Sequence, residues 1–166
     1  MGVTALKDNL KTDRATAQEY LSSYFTVFNQ LAEYLESVKA FAKEHGYTET
    51  FFGRRRHLEG IRSKVPFVQA AAERMAINAP IQGTEADIVK LAMVKIDEYV
   101  QKHTKQGDVY VLLQVHDEIV YEVKEELVEK FSIEFKKIME AIIDPKDISG
   151  ITCIAEASFG DNWGDI

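Results

Sequence analysis

The chain has 166 residues, of which 46% are hydrophobic, enough to form the core of one ordinary domain or part of a larger one. Its single cysteine, Cys153, excludes a disulfide framework within the chain and predicts a reducing, cytosolic setting. No apolar run approaches membrane-spanning length, and the first residues show no signal-peptide pattern. We therefore expect a soluble intracellular protein.

The net charge of −7 is unevenly distributed along the chain. Residues 1–105 carry 15 basic and 13 acidic side chains, whereas residues 106–166 carry 5 and 14. The global charge therefore does not predict nucleic-acid binding, although a local basic patch is compatible with it. The sharpest basic cluster consists of Arg54, Arg55, Arg56 and His57, followed by Arg62 and Lys64. A solvated turn is the alternative interpretation of this cluster.

The first half of the chain reads mainly as helix. A short helix is predicted over 2–10, and Thr12 or Asp13 is placed to cap a long helix over 15–45 with a regular apolar stripe. Gly46 ends that helix as a C-cap. The segment 47–58 reads as a small hairpin that turns at a glycine.

The second half mixes helices and strands. We predict a helix over 67–78 broken near Pro80, and a further helix over 84–104 opened by a capping box. A strand hairpin follows at 109–123, then a helix over 125–143 and a last strand over 151–159. This order predicts an α+β fold, with helices over a small, mostly antiparallel sheet.

The hairpin at 109–123 carries the most informative motif. Two β-branched, apolar runs flank His116, Asp117 and Glu118, which forces these polar residues into the tight connection. Two adjacent carboxylates on a rigid hairpin form a hard-oxygen site suited to Mg²⁺. This favours metal-assisted chemistry on phosphates. The alternative is an ordinary turn, because Asp is common in turns and a neighbouring Glu is easily solvated.

A second motif lies in the segment 72–84. Arg74 and Asn78 are four residues apart and share one helical face, and Gln82 continues the line beyond Pro80. Such a row of hydrogen-bonding side chains suits the minor groove of a nucleic acid, where base edges present similar acceptors. The alternative is that Arg74 pairs with a nearby carboxylate while Asn78 and Gln82 cap helix ends.

Taken together, these motifs resemble the C-terminal part of a family A DNA polymerase, the DNA polymerase I type. The resemblance covers nearly the whole chain in order. It rests on Gly53-Arg54-Arg55-Arg56, Ala72-Glu73-Arg74, Ile77-Asn78-Ala79-Pro80-Ile81-Gln82-Gly83-Thr84, Ala86-Asp87-Ile88, Lys90-Leu91-Ala92-Met93, Gln114-Val115-His116-Asp117-Glu118 and Gly160-Asp161-Asn162-Trp163.

The resemblance implies roles for the catalytic and metal residues. Asp117 matches the family's second metal-binding aspartate, Glu118 its acidic neighbour, and His116 the residue beside the primer terminus. The implied cofactor is Mg²⁺. The implied reaction is in-line attack of a primer 3′-hydroxyl on the α-phosphate of a dNTP, with two metal ions stabilising the attacking and leaving oxygens.

The resemblance also implies DNA contacts and a cellular setting. Arg74, Asn78 and Gln82 match the family's contacts to the minor groove and the template–primer, and Arg54, Arg55 and Arg56 are further candidates for DNA contact. The implied partners are primer-template DNA, a dNTP and the remainder of the polymerase or a complementary subunit, with no membrane partner. The implied location is cytoplasmic and nucleoid-associated.

The resemblance further implies that residues 1–50 are trailing fingers helices and that residues 51–166 are the distal palm. The family's first metal-binding aspartate and its nucleotide-binding fingers helix have no match in this sequence. We therefore expect part of a larger polymerase, inactive as an isolated chain. Two alternatives stay open: a natural split-polymerase subunit, and a non-catalytic nucleic-acid-binding remnant.

Overall fold

A computed structural model describes residues 2–165. The chain divides into two compact units, Met1–Pro80 and Ile81–Ile166. Five α-helices and two antiparallel two-stranded sheets are present among the described residues, so the predicted α+β class is confirmed. The prediction that residues 1–50 and 51–166 correspond to fingers and palm stays a prediction.

The first unit contains three helices, a small hairpin and the first part of a long helix. The elements are α1 (Val3–Leu10), α2 (Arg14–Val27), α3 (Asn29–His45), β1 (Tyr47–Glu49), β2 (Arg55–His57) and α4 (Pro66–His103), which continues into the second unit. Its buried core consists of Ala42, Leu58, Ile61, Ala72 and Ala76. Small alanines on α3 and α4 leave room for the larger Leu58 and Ile61 from the segment that follows β2.

The predicted helix over 15–45 is two helices. Of the two predicted N-caps, Thr12 and Asp13, the structure has Asp13, whose carboxylate accepts hydrogen bonds from the backbone N–H groups of Ala15 and Thr16. The break falls at Phe28, which leaves helical geometry at φ −100° and ψ 56°. Just before it, the Thr26 hydroxyl donates to the Ser22 carbonyl, a bond that bends helices. The helical spacing of apolar residues continues across Phe28, so the sequence pattern does not reveal the break between the two helices.

Gly46 and the small hairpin behave as predicted. Gly46 ends α3 in the left-handed conformation, with φ 82°, and its N–H donates to the Ala42 carbonyl. Strands β1 and β2 then pair antiparallel, with Tyr47 opposite His57. The turn between them contains Gly53, as the glycine in this segment indicated.

The prediction of two helices separated near Pro80 is wrong, because α4 is one continuous helix. It runs without interruption over 38 residues, and Pro80 and the supposed capping box at Thr84 lie in its interior. A proline inside a helix removes one hydrogen bond and costs about 3 kcal/mol. Buried residues on both sides, including Ala76 and Val89, provide packing that offsets this local cost.

The second unit is built around a strand hairpin and a helix. Strands β3 (Val109–Val115) and β4 (Glu118–Val123) pair antiparallel, which confirms the predicted hairpin at 109–123. Helix α5 (Val128–Glu140) follows a single 3₁₀ turn, so the helix predicted over 125–143 is shorter at both ends.

The core of the second unit joins the hairpin to α5 and α4. It is centred on Ile96, Phe131 and Phe135, and partly buried side chains that include Tyr99, Val109, Tyr121 and Val123 pack against it. Phe131 is 1% exposed, and its ring contacts those of Tyr99 and Phe135 edge to face. Aromatic pairs in this geometry each add about 0.5–1.5 kcal/mol beyond the area they bury.

Strand β3 has a bulge that the sequence pattern does not indicate. Val111 lies opposite Tyr121 and Leu113 lies opposite Val120, so Leu112 is an extra residue. The bulge interrupts the alternation of faces, and three consecutive apolar side chains, Tyr110, Val111 and Leu112, are about half exposed.

The strand predicted over 151–159 is absent from the part of the chain that the structure describes. These residues have no strand geometry, and the only described ladders are β1–β2 and β3–β4. A strand requires a paired neighbour, which apolar alternation alone cannot supply. Within residues 2–165 we also find no helix whose length and apolar content would let it cross a membrane.

The aromatic core of the second unit generates a stability prediction. We expect Phe131→Ala to lower the free energy of unfolding by about 3–5 kcal/mol, because it empties a fully buried ring site. Ile133→Ala on the same helix is the matched control, since Ile133 is 56% exposed. Urea unfolding followed by circular dichroism measures both, and equal losses in the two variants would contradict the core assignment.

Candidate functional site

The polar connection of the β3–β4 hairpin is a two-residue turn. Val115 pairs with Glu118, which leaves His116 and Asp117 between the strands. His116 has φ 52°, a left-handed conformation that is uncommon for residues other than glycine, although His, Asn and Asp adopt it more often than most. Backbone strain of this kind concentrates at functional sites.

Gln114 fixes this turn, a role that the sequence pattern does not indicate. Its side-chain Nε2 donates to the backbone carbonyl of His116 at 2.5 Å. The bond ties the strained residue to strand β3 two positions earlier. The sequence carried one signal that this turn needs support. Two-residue turns normally have Gly, Asn or Asp at the positive-φ position, and here His116 occupies it.

The two carboxylates at the turn are placed for contact with a cation or solvent. Asp117 and Glu118 are both exposed, one in the turn and one at the start of β4. Within residues 2–165, no group of three His, Cys, Asp or Glu side chains is close enough to hold a metal ion. The pair therefore offers hard-oxygen ligands that fit Mg²⁺, but it supplies only part of a ligand set.

The strand that follows the turn packs against the aromatic core of the second unit. On β4, the Tyr121 ring lies 4.7 Å from that of Phe135, centroid to centroid. Burial, together with the negative charge of Asp97, raises the pKa of Tyr121 to about 12. The Tyr121 phenol therefore stays neutral throughout the physiological range.

Arg74 and Asn78 lie in the first unit on one exposed face of α4, and Gln82 follows four residues later in the second unit. Asn78 and Gln82 are in the helix interior, so the alternative in which they cap helix ends is wrong. Among the described residues, Arg74 makes no ion pair, whereas its neighbour Glu73 pairs with Lys43 at 2.7 Å. The Arg74 guanidinium is thus available to an external anion.

The three consecutive arginines of the small hairpin have different surroundings. The Arg55 Nε donates to Glu49 at 2.6 Å, and its guanidinium lies 4.5 Å above the Tyr47 ring. The hydrogen bond to Glu49 raises the pKa of Arg55. Arg54 and Arg56 are exposed, and Arg56 makes no side-chain bond to another described residue. Arg55 is therefore held within the small hairpin by both an ion pair and a ring contact.

The predicted site residues thus form two groups. Arg54, Arg55, Arg56, Arg74 and Asn78 belong to the first unit, and Gln82, His116, Asp117 and Glu118 belong to the second. The structure brings His116, Asp117 and Glu118 together at the β3–β4 connection, with His116 and Asp117 in the turn. The prediction that all three lie in the connection is wrong for Glu118, because it is the first residue of β4 and pairs with Val115. The structure places Arg74 and Asn78 together on one helical face.

Comparison with known proteins assigns this arrangement to a family. The model of DNA polymerase family A matches residues 1–165, and the chain belongs to that family. DNA polymerase I of Pseudomonas aeruginosa is 41% identical over 99% of this chain and 17% of its own length. The thermostable DNA polymerase I of Thermus aquaticus is 34% identical over 98% of this chain and 19% of its own length.

A solved structure supports the same assignment. The POL domain of Pol1 from M. smegmatis, in complex with DNA primer-template and dNTP, superposes with a TM-score of 0.81. It is 36% identical, over 86% of this chain and 25% of that one. The chain therefore spans about a fifth of the length of the curated relatives named above.

The turn geometry generates a prediction about His116. We expect His116→Val to lower the stability of the β3–β4 hairpin by about 1–2 kcal/mol, because a β-branched residue resists positive φ. His116→Asn is the control and should stay within about 0.5 kcal/mol of the parent, since Asn tolerates this conformation. Native-state hydrogen exchange of the hairpin amides measures the difference, and equal protection in both variants would refute the strained turn.

Proposed function

We propose that this chain supplies part of the active site of a DNA-directed DNA polymerase, which adds dNTPs to a primer 3′-hydroxyl under the direction of a template. The observation that carries the proposal is the polar segment His116-Asp117-Glu118, at the turn and the start of β4 on a packed hairpin, in a chain that belongs to DNA polymerase family A. The similar POL domain was solved with primer-template DNA and dNTP, which supports these as partners.

Asp117 and Glu118 would hold Mg²⁺ from one side, together with ligands from elsewhere in the polymerase. When bound, two such ions stabilise the attacking and leaving oxygens of phosphoryl transfer. The protein's own contribution is positioning. The aromatic base under β4 and the Gln114–His116 bond hold the carboxylates in place before substrate arrives. His116, in the same turn, would contact the primer end.

Arg74, Asn78 and Gln82 would contact the duplex product through its minor groove. Acceptors on the base edges there are similar for every base pair, so these side chains would sense base-pair shape rather than sequence. Their exposed positions on α4 support this role. Arg54 and Arg56 would contribute phosphate contacts.

The isolated chain would lack activity, because the two carboxylates do not complete a two-metal ligand set within the described residues. The same property is expected of a natural split subunit whose partner supplies the missing ligands. Both versions place Asp117 at the metal, and they differ only in the source of the other ligands.

Complementation tests the catalytic assignment. We expect Mg²⁺-dependent primer extension when the chain is mixed with a polypeptide that carries the remaining palm, fingers and thumb of a family A polymerase. Asp117→Asn should reduce this extension by at least about 100-fold, because a metal ligand supports several kcal/mol of transition-state stabilisation. Glu122→Gln removes an exposed carboxylate from the same strand and should leave the rate within about twofold.

Two results would overturn the assignment. One is the absence of extension although both polypeptides are folded and associated. The other is an equal loss of rate in Asp117→Asn and Glu122→Gln. Binding of primer-template DNA without extension would instead support the non-catalytic, nucleic-acid-binding alternative.

Duplex binding tests the role of α4. We expect Arg74→Ala to weaken binding of primer-template DNA and to reduce the slope of log K against log salt by about one, because a positive charge in the minor groove also displaces a counterion from the flanking phosphates. Arg14→Ala removes an exposed charge at the start of α2 and serves as the control. Fluorescence anisotropy at several salt concentrations measures both slopes, and a common slope would show that Arg74 does not contact DNA.

A further inference from the structure

The carboxylate that lies next to Arg74 in the sequence is bound to another helix. Glu73 directly precedes Arg74 and is the single acidic residue in the segment 60–84. Its Oε1 lies 2.7 Å from the Nζ of Lys43 on α3, and neither side chain makes another ion pair within the described residues. Glu73 therefore reaches towards α3, whereas the side chain of Arg74 is exposed to solvent.

The position of Lys43 is fixed from two directions. Ala42 of α3 and Ala72 of α4 belong to the same buried core of the first unit, which lies directly beside the ion pair. Arg62 holds the end of α3, because its Nε donates to the Lys43 carbonyl at 2.7 Å and its Nη2 donates to the Glu44 carbonyl. The Lys43 ammonium is therefore placed against its carboxylate partner by contacts other than the ion pair itself.

The Lys43–Glu73 pair matters more for local charge than for folding. Its side chains are 44% and 26% exposed, and ion pairs as accessible as this contribute little to stability. Without Lys43, an unpaired carboxylate would lie one residue from the Arg74 guanidinium. That carboxylate would attract the guanidinium and compete with an external anion for it. Lys43 thus removes the one negative charge of this segment from competition with a ligand of Arg74.

We propose that Lys43 is a positioning residue for duplex binding: by pairing with Glu73, it keeps the Arg74 guanidinium available to DNA. The inference rests on the proposed function, because it takes Arg74 to contact the duplex. It adds a residue of α3 that lies outside all the sequence motifs described above. Lys43 acts through its neighbour and does not itself touch DNA.

The test measures primer-template binding by the 166-residue chain, using fluorescence anisotropy at low and high salt. We expect Lys43→Met to weaken binding about three- to fivefold at low salt, because an unpaired carboxylate then lies beside Arg74. The loss should shrink as the salt concentration rises, since its cause is electrostatic. Lys43→Arg keeps the positive charge and should bind within about 1.5-fold of the parent.

Further variants separate positioning from direct contact with DNA. Adding Glu73→Gln to Lys43→Met removes both charges and should restore binding to within about 1.5-fold of the parent. In an Arg74→Ala background, Lys43→Met should cost less than about 1.5-fold, because the residue through which it acts is gone. Lys39→Met is the matched control, since it breaks a 2.6 Å pair with Glu36 on the same helix without freeing the carboxylate next to Arg74.

Three results would overturn the proposal: unchanged binding by Lys43→Met, no recovery when Glu73→Gln is added, or an equal loss in Lys43→Met and Lys39→Met. No recovery would mean that Lys43 contacts phosphate itself. Circular dichroism checks the fold of each variant, and Lys43→Gln repeats the comparison if Lys43→Met does not fold.

The Arg74→Ala variant distinguishes failure of this inference from failure of the proposed function. Weaker binding by Arg74→Ala, together with unchanged binding by Lys43→Met, would refute the role of Lys43 alone. Unchanged binding by Arg74→Ala would refute the DNA contact in the proposed function, and the role of Lys43 with it.

Discussion

The contact of Tyr121 with Phe135 is the interaction on which the second unit depends. A two-stranded hairpin alone is marginally stable in water, so β3 and β4 require an apolar surface to pack against. The Phe131–Phe135 pair of α5 provides that surface, and Tyr121 joins it from β4. The carboxylates at the other end of the hairpin can therefore stay exposed, because the stabilising contacts are made away from them.

The two hairpins have different residues at the turn position that requires a positive φ. Each tip requires one residue at positive φ, and the small hairpin uses Gly53, which adopts it without a steric penalty. The larger hairpin uses His116, whose side chain makes that conformation costly. The difference is consistent with a role for the imidazole at the turn, and the hydrogen bond from Gln114 offsets part of the strain.

Signals that act over a few residues were readable from the sequence, whereas signals that depend on packing were not. The Gly46 terminus and the β3–β4 hairpin follow from local chemistry and were predicted, and the N-cap was narrowed to Thr12 or Asp13, of which the structure has Asp13. Pro80 is an equally strong local signal for the end of a helix. Helix α4 nevertheless continues across it, because packing on both sides outweighs the loss of one hydrogen bond. The bulge at Leu112 depends on the register between β3 and β4, which no periodicity of the sequence reveals.

Strand β3 has a consequence for how the chain behaves in solution. Both members of a two-stranded sheet are edge strands, and β3 adds three consecutive half-exposed apolar side chains, Tyr110, Val111 and Leu112. Such a strand is a template for pairing with another chain, which natural proteins usually blunt with charges or cover. Self-association of the isolated chain through this edge would grow with concentration, so solubility rather than folding would limit the concentration at which it can be handled.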